Sequence, residues 1–327
     1  MAEDIHEIYA IRYAHHDRKA ADNYLHGDPH DILQPLAYFV WAIVGPHGTF
    51  VVDTGFDRAM ADKRGRTLLR PVVEGLKAMN VDAARVEHVI VTHLHYDHCL
   101  DYIRLLMTRW DQGAGRIPEL NVYGPPHIAR MTALVVGADG IFGPDLEART
   151  QLRMSQDVFE ARGGTLPRLP PRPVVREIGS GDVIDCGEFI VRTRAVLHAQ
   201  PILECFGFRM EADGTSFVYS GDAGPCKAMQ ELATDCDVLV HMCHFISGTA
   251  LSPAMDKHNM GHLELARLGA AANVRNLVVS HVTEQMDVPG IRERLIREMS
   301  ALYAGNLFFG EDLMEIPVGP PVPAKLD

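Results

Sequence analysis

The feature that most constrains this chain is the segment Thr92–His98, which reads Thr-His-Leu-His-Tyr-Asp-His directly after an apolar run. Three imidazoles and a carboxylate so close together are a typical metal-ligand set. A strand through the apolar run delivers His93 and His95 to the same side, because side chains alternate along extended backbone. If a helix follows, Asp97 and His98 turn toward a second point nearby. The segment therefore indicates two adjacent metal ions, against the alternative of a histidine-rich surface loop that binds nothing.

Composition and charge narrow the class of protein. The chain has 327 residues, of which 47% are hydrophobic, and a formal net charge of -12. That charge argues against nucleic acid as a partner, since phosphate backbones attract clustered Lys and Arg. No apolar run approaches 18 residues, so no membrane span is expected. The acidic start differs from a signal peptide, and the six cysteines form no C-x-x-C pair, so a cytoplasmic protein with reduced thiols is expected.

A site with two metals needs further ligands, and three residues of ligand type stand where predicted strands end. His198 follows one strand, Asp222 closes a second within Ser-Gly-Asp, and His281 ends a third. A single histidine at a strand end is normally an ordinary polar group. Together with the His-rich segment, the three residues predict a shared site.

The order of predicted elements indicates an α/β fold. Strands followed by alternating strands and helices occur in both halves, which predicts two sheets packed face to face with helices outside. We expect a single domain over residues 1–318 with halves of about 1–165 and 174–318. A helical insertion at about 126–165 is expected to cap a pocket. Residues 319–327 are expected to be a disordered tail.

Three more local features give expectations. Residues 57–80 have helical spacing with Arg and Lys on the polar side, which predicts helical structure there. Asp287 with Pro289 predicts the start of a final helix that continues to Tyr303. Asp53, at the end of a buried strand, is expected to support the site from behind the ligands.

These residues resemble the metallo-β-lactamase superfamily, in its dinuclear hydrolase branches. The resemblance extends from Val52-Asp53-Thr54-Gly55 to His281, and the H-x-H-x-D-H motif at 93–98 is its most specific part. It implies an αββα four-layer sandwich and two zinc ions per chain, with other divalent metals as alternatives. It also implies the following ligand sets: His93, His95 and His198 on one metal, Asp97, His98 and His281 on the other, and Asp222 bridging both.

The resemblance divides between two branches of that superfamily. Residues 8–98 look like the N-acyl homoserine lactonases, whereas the chain from Asp101 onward looks like the ribonuclease Z, arylsulfatase and phosphodiesterase side. There, Gly261-His262-Leu263-Glu264 resembles the segment with an extra catalytic histidine. Met242, however, stands where a Glu would partner that histidine, and Leu197-His198-Ala199-Gln200 is not the usual lactonase sequence.

We therefore expect a zinc-dependent hydrolase in which water activated by two metals attacks a small ester or lactone. Asp97 is expected to pass a proton to the leaving group, and His262 to donate a hydrogen bond to the oxyanion or leaving group. Alternatives are hydrolysis of phosphodiesters or sulfate esters, hydrolytic dehalogenation of an activated ring, and di-iron redox chemistry. A non-enzymatic binding module on a degenerate hydrolase fold is a further alternative. It would lack some of these metal ligands, and none is missing here. The expected partner is a small-molecule substrate, and the chain is expected to form a homodimer. The sequence leaves open the roles of five histidines: His15, His16, His241, His244 and His258.

Overall fold

A computed structural model gives the fold of the chain. It describes residues 7–16, 36–44, 49–52, 58–63, 65–78, 86–187, 189–286, 288, 290–311, 314, 316 and 318. Asp53, Asp287, Pro289 and the expected tail at 319–327 lie outside the described residues.

The first half of the chain forms a seven-stranded sheet with the order β4-β1-β2-β3-β5-β6-β7. Strands β1 to β4 pair antiparallel with their neighbours, whereas β3, β5, β6 and β7 run parallel. The strands are β1 (Glu7–His16), β2 (Leu36–Val44), β3 (Thr49–Val52), β4 (Thr67–Leu68), β5 (His88–Ile90), β6 (Asn121–Gly124) and β7 (Val174–Glu177). The parallel strands matter for the site because the carboxyl end of β5 leads directly into the histidine-rich segment.

The helices of this half lie on the sheet's outer face and in the insertion between β6 and β7. They are α1 (Arg58–Lys63), α2 (Val72–Ala78), α3 (Tyr96–Gly113), α4 (Ile128–Val136), α5 (Gly143–Gln151) and α6 (Arg153–Ala161). The described part of residues 57–80 forms two helices, as its helical spacing indicates, but not one continuous helix. Strand β4 separates α1 from α2 there, because Leu68 is buried and pairs with Ala14 at the edge of the sheet.

The second half forms another seven-stranded sheet, with the order β14-β13-β12-β11-β10-β9-β8. Its strands are β8 (Val183–Asp185), β9 (Ile190–Ala195), β10 (Phe206–Ala212), β11 (Thr215–Tyr219), β12 (Val238–Met242), β13 (Asn276–Ser280) and β14 (Asn306–Phe309). The neighbours β11, β12, β13 and β14 run parallel, so their carboxyl ends meet at one edge of the sheet.

The described residues of this half form the α-helices α7 (Lys227–Ala233), α8 (Pro253–His258), α9 (His262–Ala271) and α10 (Ile291–Ser300). The last helix has its N-cap at Gly290, three residues later than the Asp287 that the sequence indicates, and it ends at Ser300 rather than Tyr303. Its first turn is stabilised by the Glu293 carboxylate, which accepts from the Gly290 backbone N–H.

Four layers follow from where the buried side chains pack. Between the sheets lie residues of both, such as Trp41 and Ile90 from the first and Phe208 and Val240 from the second. The outer faces are covered by helices, and the second sheet carries the core that includes Leu265 of α9. The α/β sandwich expected from the sequence is confirmed, while the single-domain division over 1–318 stays a prediction. In the described part of the chain, no helix is both long and apolar enough to cross a membrane.

Candidate metal centre

The first half contributes the segment between β5 and α3. His93 is completely buried, and its Nδ1 lies 3.0 Å from the Thr92 hydroxyl oxygen, while its Nε2 lies 2.9 Å from Nδ1 of His95. With Nδ1–H donating to Thr92, the lone pair of Nε2 is directed into the site. Helix α3 begins at Tyr96, and its first turn places His98 beside His93, with ring centroids 4.2 Å apart.

The second half contributes a buried carboxylate on which the histidines converge. Asp222 follows β11 and is only 7% exposed. Four imidazole Nε2 atoms lie near its Oδ2: that of His281 at 3.5 Å, those of His98 and His198 at 3.6 Å, and that of His93 at 3.9 Å. Residues from both halves of the chain therefore meet at one carboxylate.

The described ligand atoms form two groups, in each of which all atoms lie within 4.8 Å of one another. The first is His93, His95, His198 and Asp222, and the second is His98, Asp222 and His281. Asp222 belongs to both, as a bridging ligand would. Among the described residues neither group includes Asp97, whose Oδ2 lies 3.9 Å from Nε2 of His98.

Gly221 allows the two sheets to approach each other at this point. It adopts a φ of +54°, which disfavours a side chain, and a Cβ here would lie 3.1 Å from Cβ of Thr92 and 2.9 Å from the carbonyl oxygen of Phe206. The Phe206 N–H in turn donates to the Thr92 carbonyl oxygen at 3.2 Å. A glycine beside Asp222 thus places that carboxylate against the histidine segment.

His198 is oriented by the segment that precedes α9. Its Nδ1–H donates to the carbonyl oxygen of His258 at 3.1 Å, which leaves Nε2 for the site. Gly224 makes room for that segment, since a Cβ there would lie 2.4 Å from the Lys257 carbonyl oxygen. The Gly224 N–H also donates to the Leu197 carbonyl oxygen at 2.7 Å, so the loops of His198 and Asp222 are joined.

His281 stands in a conformation that few residues other than glycine adopt. Its φ is +52°, and strained backbone of this kind persists where the surroundings hold it, often at functional sites. The Cys243 N–H donates to the carbonyl oxygen of Ser280 at 2.7 Å, which ties the end of β12 to the residue before His281. The His281 ring is nearly parallel to that of His98, at an interplanar angle of 10° with ring centroids 6.1 Å apart.

Burial and mutual charge shape the protonation of the site. Burial lowers the pKa of His93 well below its usual value, and neighbouring His98 lowers it further. Burial also lowers the pKa of His95, with His198 as the next cause. For Asp222, burial raises the pKa, but the surrounding histidines, His281 foremost, outweigh it and hold the pKa far below the usual range. The ionised carboxylate of Asp222 and the imidazoles of His93 and His95, whose lowered pKa values favour the neutral form, present oxygen and nitrogen lone pairs to one point.

His262, which the sequence predicts to donate to the oxyanion or leaving group, makes its hydrogen bonds within the protein, and its catalytic role stays a prediction. Its Nδ1 accepts the Ser247 backbone N–H at 2.9 Å, and its Nε2–H donates to the Glu298 carboxylate at 2.8 Å. The side chain is 1% exposed. Both ring nitrogens are therefore engaged within the protein, in bonds that join the loop after β12 to helices α9 and α10. Sequence reasoning could not see Glu298, because it lies 36 residues further along the chain.

Two further histidines lie near the metal centre, His241 on strand β12 and His244 just after it. The sulfur of Met242 accepts the Ala223 backbone N–H at 2.9 Å, which holds the loop after Asp222. His241 donates from Nδ1–H to the Met242 carbonyl oxygen at 2.7 Å, and burial lowers its pKa to about 4. His244 lies beside His281, with ring centroids 5.7 Å apart, and burial followed by that neighbour lowers its pKa to about 4.

The remaining histidines lie elsewhere or are not described. His15 lies on β1, paired with Ala37 and Thr67. The side chain of His16 and all of Asp53 lie outside the described residues. His258 contributes its backbone carbonyl to the orientation of His198, as described above.

The fold and the centre can now be compared with known proteins. A family model described as the beta-lactamase superfamily domain matches residues 49–282. The chain belongs to the metallo-β-lactamase superfamily. It is thus a hydrolase of a superfamily that depends on divalent metals, as its sequence resemblance implied.

Solved structures agree with the fold. The metallo-beta-lactamase fold protein YhfI from Bacillus subtilis matches with a TM-score of 0.61 at 15% identity, covering 96% of this chain and 100% of that chain. Human tRNase Z, short form, matches with a TM-score of 0.56 at 15% identity, covering 97% and 100%. At these identities the likeness supports the fold alone.

Curated relatives carry the name ribonuclease Z. That of Mycobacterium bovis is 29% identical over 258 residues, which are 77% of this chain and 86% of that protein. That of Mycolicibacterium paratuberculosis is 30% identical over 259 residues, with the same shares. These relatives contradict the expectation that nucleic acid is no partner, and they give no support to the lactonase interpretation. The error came from using a net charge of -12 for the whole chain, because binding depends on the local field at the site.

The donor set fits the divalent metals on which the superfamily depends. Imidazole nitrogen and carboxylate oxygen suit zinc and similar ions. The outward nitrogens of His93 and His198 are bonded to Thr92 and to the His258 carbonyl, which is the usual way in which metal-binding histidines are oriented. The inward nitrogens converge on one ionised carboxylate.

Proposed function

We propose that the protein is a metal-dependent phosphodiester hydrolase with RNA as its substrate class. The observation that carries this proposal is the likeness to ribonuclease Z over 77% of the chain and 86% of the relative. The convergence of histidines on Asp222 supports it, because that arrangement can hold the charge needed to bind and cleave an anionic ester.

We assign the two metal half-sites to the two groups that share Asp222. His93, His95 and His198 would hold one ion, and His98 and His281 the other, with zinc as the ion that these donors favour. Asp97 would complete the second half-site or stand beside it. When bound, two such cations supply an activated water and a Lewis acid for the phosphoryl oxygen.

The residues of the chain then have separate tasks. The ionised Asp222 supplies the negative charge that holds both half-sites together, while Thr92 and the His258 carbonyl keep the imidazoles turned inward. Asp97 is 30% exposed at its side chain, so it can reach solvent and substrate. Its carboxylate is the group we assign to hold the proton that passes to the leaving oxygen.

The negative net charge of the chain affects how the proposed reaction depends on metal and on salt. A net charge of -12 repels an RNA backbone at long range, so the substrate must be attracted by the charge held at the site itself. We therefore expect the reaction to depend more on metal loading than on salt concentration. Proteins that bind through many Lys and Arg contacts behave in the opposite way.

The test is a comparison of substrates with zinc-loaded protein. The substrates are a transfer RNA transcript with a 3′ extension, bis(p-nitrophenyl) phosphate, p-nitrophenyl acetate and a medium-chain acyl homoserine lactone. We expect turnover of both phosphodiesters, and its loss in Asp222→Asn. Turnover of the lactone or acetate without either phosphodiester would refute the proposal and restore the ester interpretation.

A further inference from the structure

Three neighbouring parallel strands end at the edge of the second sheet where the metal centre lies. Strand β11 leads to Asp222 and β13 leads to His281, and both residues belong to the ligand groups described above. Strand β12 lies between them and leads, two residues beyond its end, to His244. Because the carboxyl ends of parallel strands converge at one edge, the middle strand delivers His244 between two ligands.

His244 lies beside the metal centre and next to the ligand His281. Its ring is partly exposed and lies 5.7 Å from that of His281 at an angle of 39°, while Asp222 and His198 are close enough to act on it electrostatically. Its backbone N–H donates to the Met260 carbonyl oxygen at 2.8 Å, so its main chain is fixed. This hydrogen bond anchors the backbone, while the ring lies beside that of His281.

The ring nitrogens of the histidines in this region bond differently, and among the described residues Nδ1 of His281 and Nε2 of His241 are buried without a hydrogen-bond partner. His262 uses both nitrogens within the protein, and His198 and His241 each donate to a backbone carbonyl. Among the described residues, Nδ1 of His244 is buried without a hydrogen-bond partner. Buried polar atoms in native proteins are nearly always paired, so an unpaired one at a site points to a ligand that completes it.

His244 is not part of the metal cage itself. Within the described residues, the two groups of ligand atoms that lie within 4.8 Å of one another do not include it. A neutral imidazole beside a cage offers one N–H donor to whatever enters. The group that enters, if the proposed function holds, is a phosphodiester with two non-bridging oxygens.

We propose that His244 contacts the substrate, donating a ring N–H to a non-bridging oxygen of the scissile phosphodiester. This inference rests on the proposed function for the identity of the ligand. The sequence resemblance assigned the extra histidine to position 262, whose ring nitrogens bond to Ser247 and Glu298, whereas the ring of His244 lies beside that of the ligand His281. His244 would thus be a substrate-binding residue that the likeness to ribonuclease Z does not by itself identify.

The experiment uses zinc-loaded wild type, His244→Ala and His244→Gln, since Gln retains an N–H donor of similar reach. Zinc content is measured first, then kinetics with bis(p-nitrophenyl) phosphate and the affinity for inorganic phosphate by calorimetry. The matched control is His88→Ala, at the far end of β5. We expect unchanged zinc content, a fall in kcat/KM of about a hundredfold and a fall in phosphate affinity of about tenfold in His244→Ala, with most of each restored by Gln.

Several outcomes would overturn the inference. Kinetics and phosphate affinity equal to those of the control would show that His244 touches no substrate. Loss of one zinc ion per chain would make it a ligand, and equal losses in the Ala and Gln variants would remove the hydrogen bond from the explanation. If wild type turns over no phosphodiester, the proposed function fails, while phosphate affinity still tests whether His244 contacts an anion.

Discussion

The two halves of the molecule build the same centre in opposite ways. The first half supplies its histidines from one continuous segment at the end of β5, where strand and helix geometry set their backbone positions and Thr92 orients the ring of His93. The second half supplies His198, Asp222 and His281 from three separate loops. These loops are held by backbone hydrogen bonds, such as those from the Gly224 N–H to the Leu197 carbonyl oxygen and from the Cys243 N–H to the Ser280 carbonyl oxygen.

The difference shows where the centre is vulnerable. In the first half, a change at one residue alters one ligand, because the backbone of α3 and β5 keeps the rest in place. In the second half, the position of each ligand depends on contacts between loops and with the first sheet. We therefore expect changes that touch no ligand to alter metal affinity mainly in the second half.

The largest effect is expected from Asp222→Asn, since Asp222 is the one residue common to both ligand groups. The amide keeps the shape but removes the charge on which the histidines converge. We expect phosphodiester turnover to fall by about a thousandfold or more and both zinc ions to bind weakly. Activity assays and zinc titration measure this, and a variant that still binds two zinc ions tightly would break the account of a shared carboxylate.

Gly221→Ala tests the contact between the halves. Both the φ of +54° and the approach of Thr92 oppose a side chain there. We expect a loss of about 1–3 kcal/mol in the free energy of unfolding together with weaker zinc binding. The matched control is Gly214→Ala, with a φ of +76° and open space around it, which should lose stability and keep zinc affinity. Equal zinc affinity in the two variants would show that the contact does not position Asp222.

Thr92→Val sharpens the comparison on the side of the first half. The change removes the acceptor for Nδ1 of His93 and frees the ring to turn, so zinc affinity should fall about tenfold. Thr132→Val is the control, because the Thr132 hydroxyl is also buried and bonded, to Tyr102 and to the Ile128 carbonyl, away from the centre. A chelator competition assay measures the zinc affinity of both variants. An unchanged zinc affinity in Thr92→Val would contradict the role of Thr92 in orienting His93.

A smaller effect concerns pH and involves both halves. Folding lowers the pKa of His93, so below about pH 6.5 the unfolded chain binds more protons than the folded one and stability declines; the lowered pKa of Asp222 acts in the same direction only below about pH 4. His241 and His244, each with a pKa lowered to about 4, act in the same direction from about pH 6.5 downward. We expect the Tm of metal-free protein to fall by roughly 5 °C between pH 8 and pH 5. A Tm that stays level or rises would contradict these shifts.

The sequence predicted those parts of the molecule that local pattern decides. The histidine segment, the strand ends at His198, Asp222 and His281, and the layered α/β fold could all be inferred from periodicity and motif. The interruption of the helical structure at 57–80 by β4 could not, because that strand exists only through its pairing with β1.

Other features depended on contacts between distant residues. The bonding of His262 to Ser247 and Glu298, and the position of His244 between two ligand strands, arise from tertiary packing. The expectation of no nucleic acid partner failed because net charge is a property of the whole chain, whereas recognition is local. Position in the fold, not residue type, distinguishes His244 from the other histidines.

The most direct test of the account is the number of zinc ions that one wild-type chain binds, measured by native mass spectrometry together with calorimetric titration at pH 7.5. One segment of the first half and three loops of the second should form two half-sites around Asp222, so we expect two ions per chain. A single ion, with His98 and His281 replaceable by alanine without loss of metal, would contradict the shared centre.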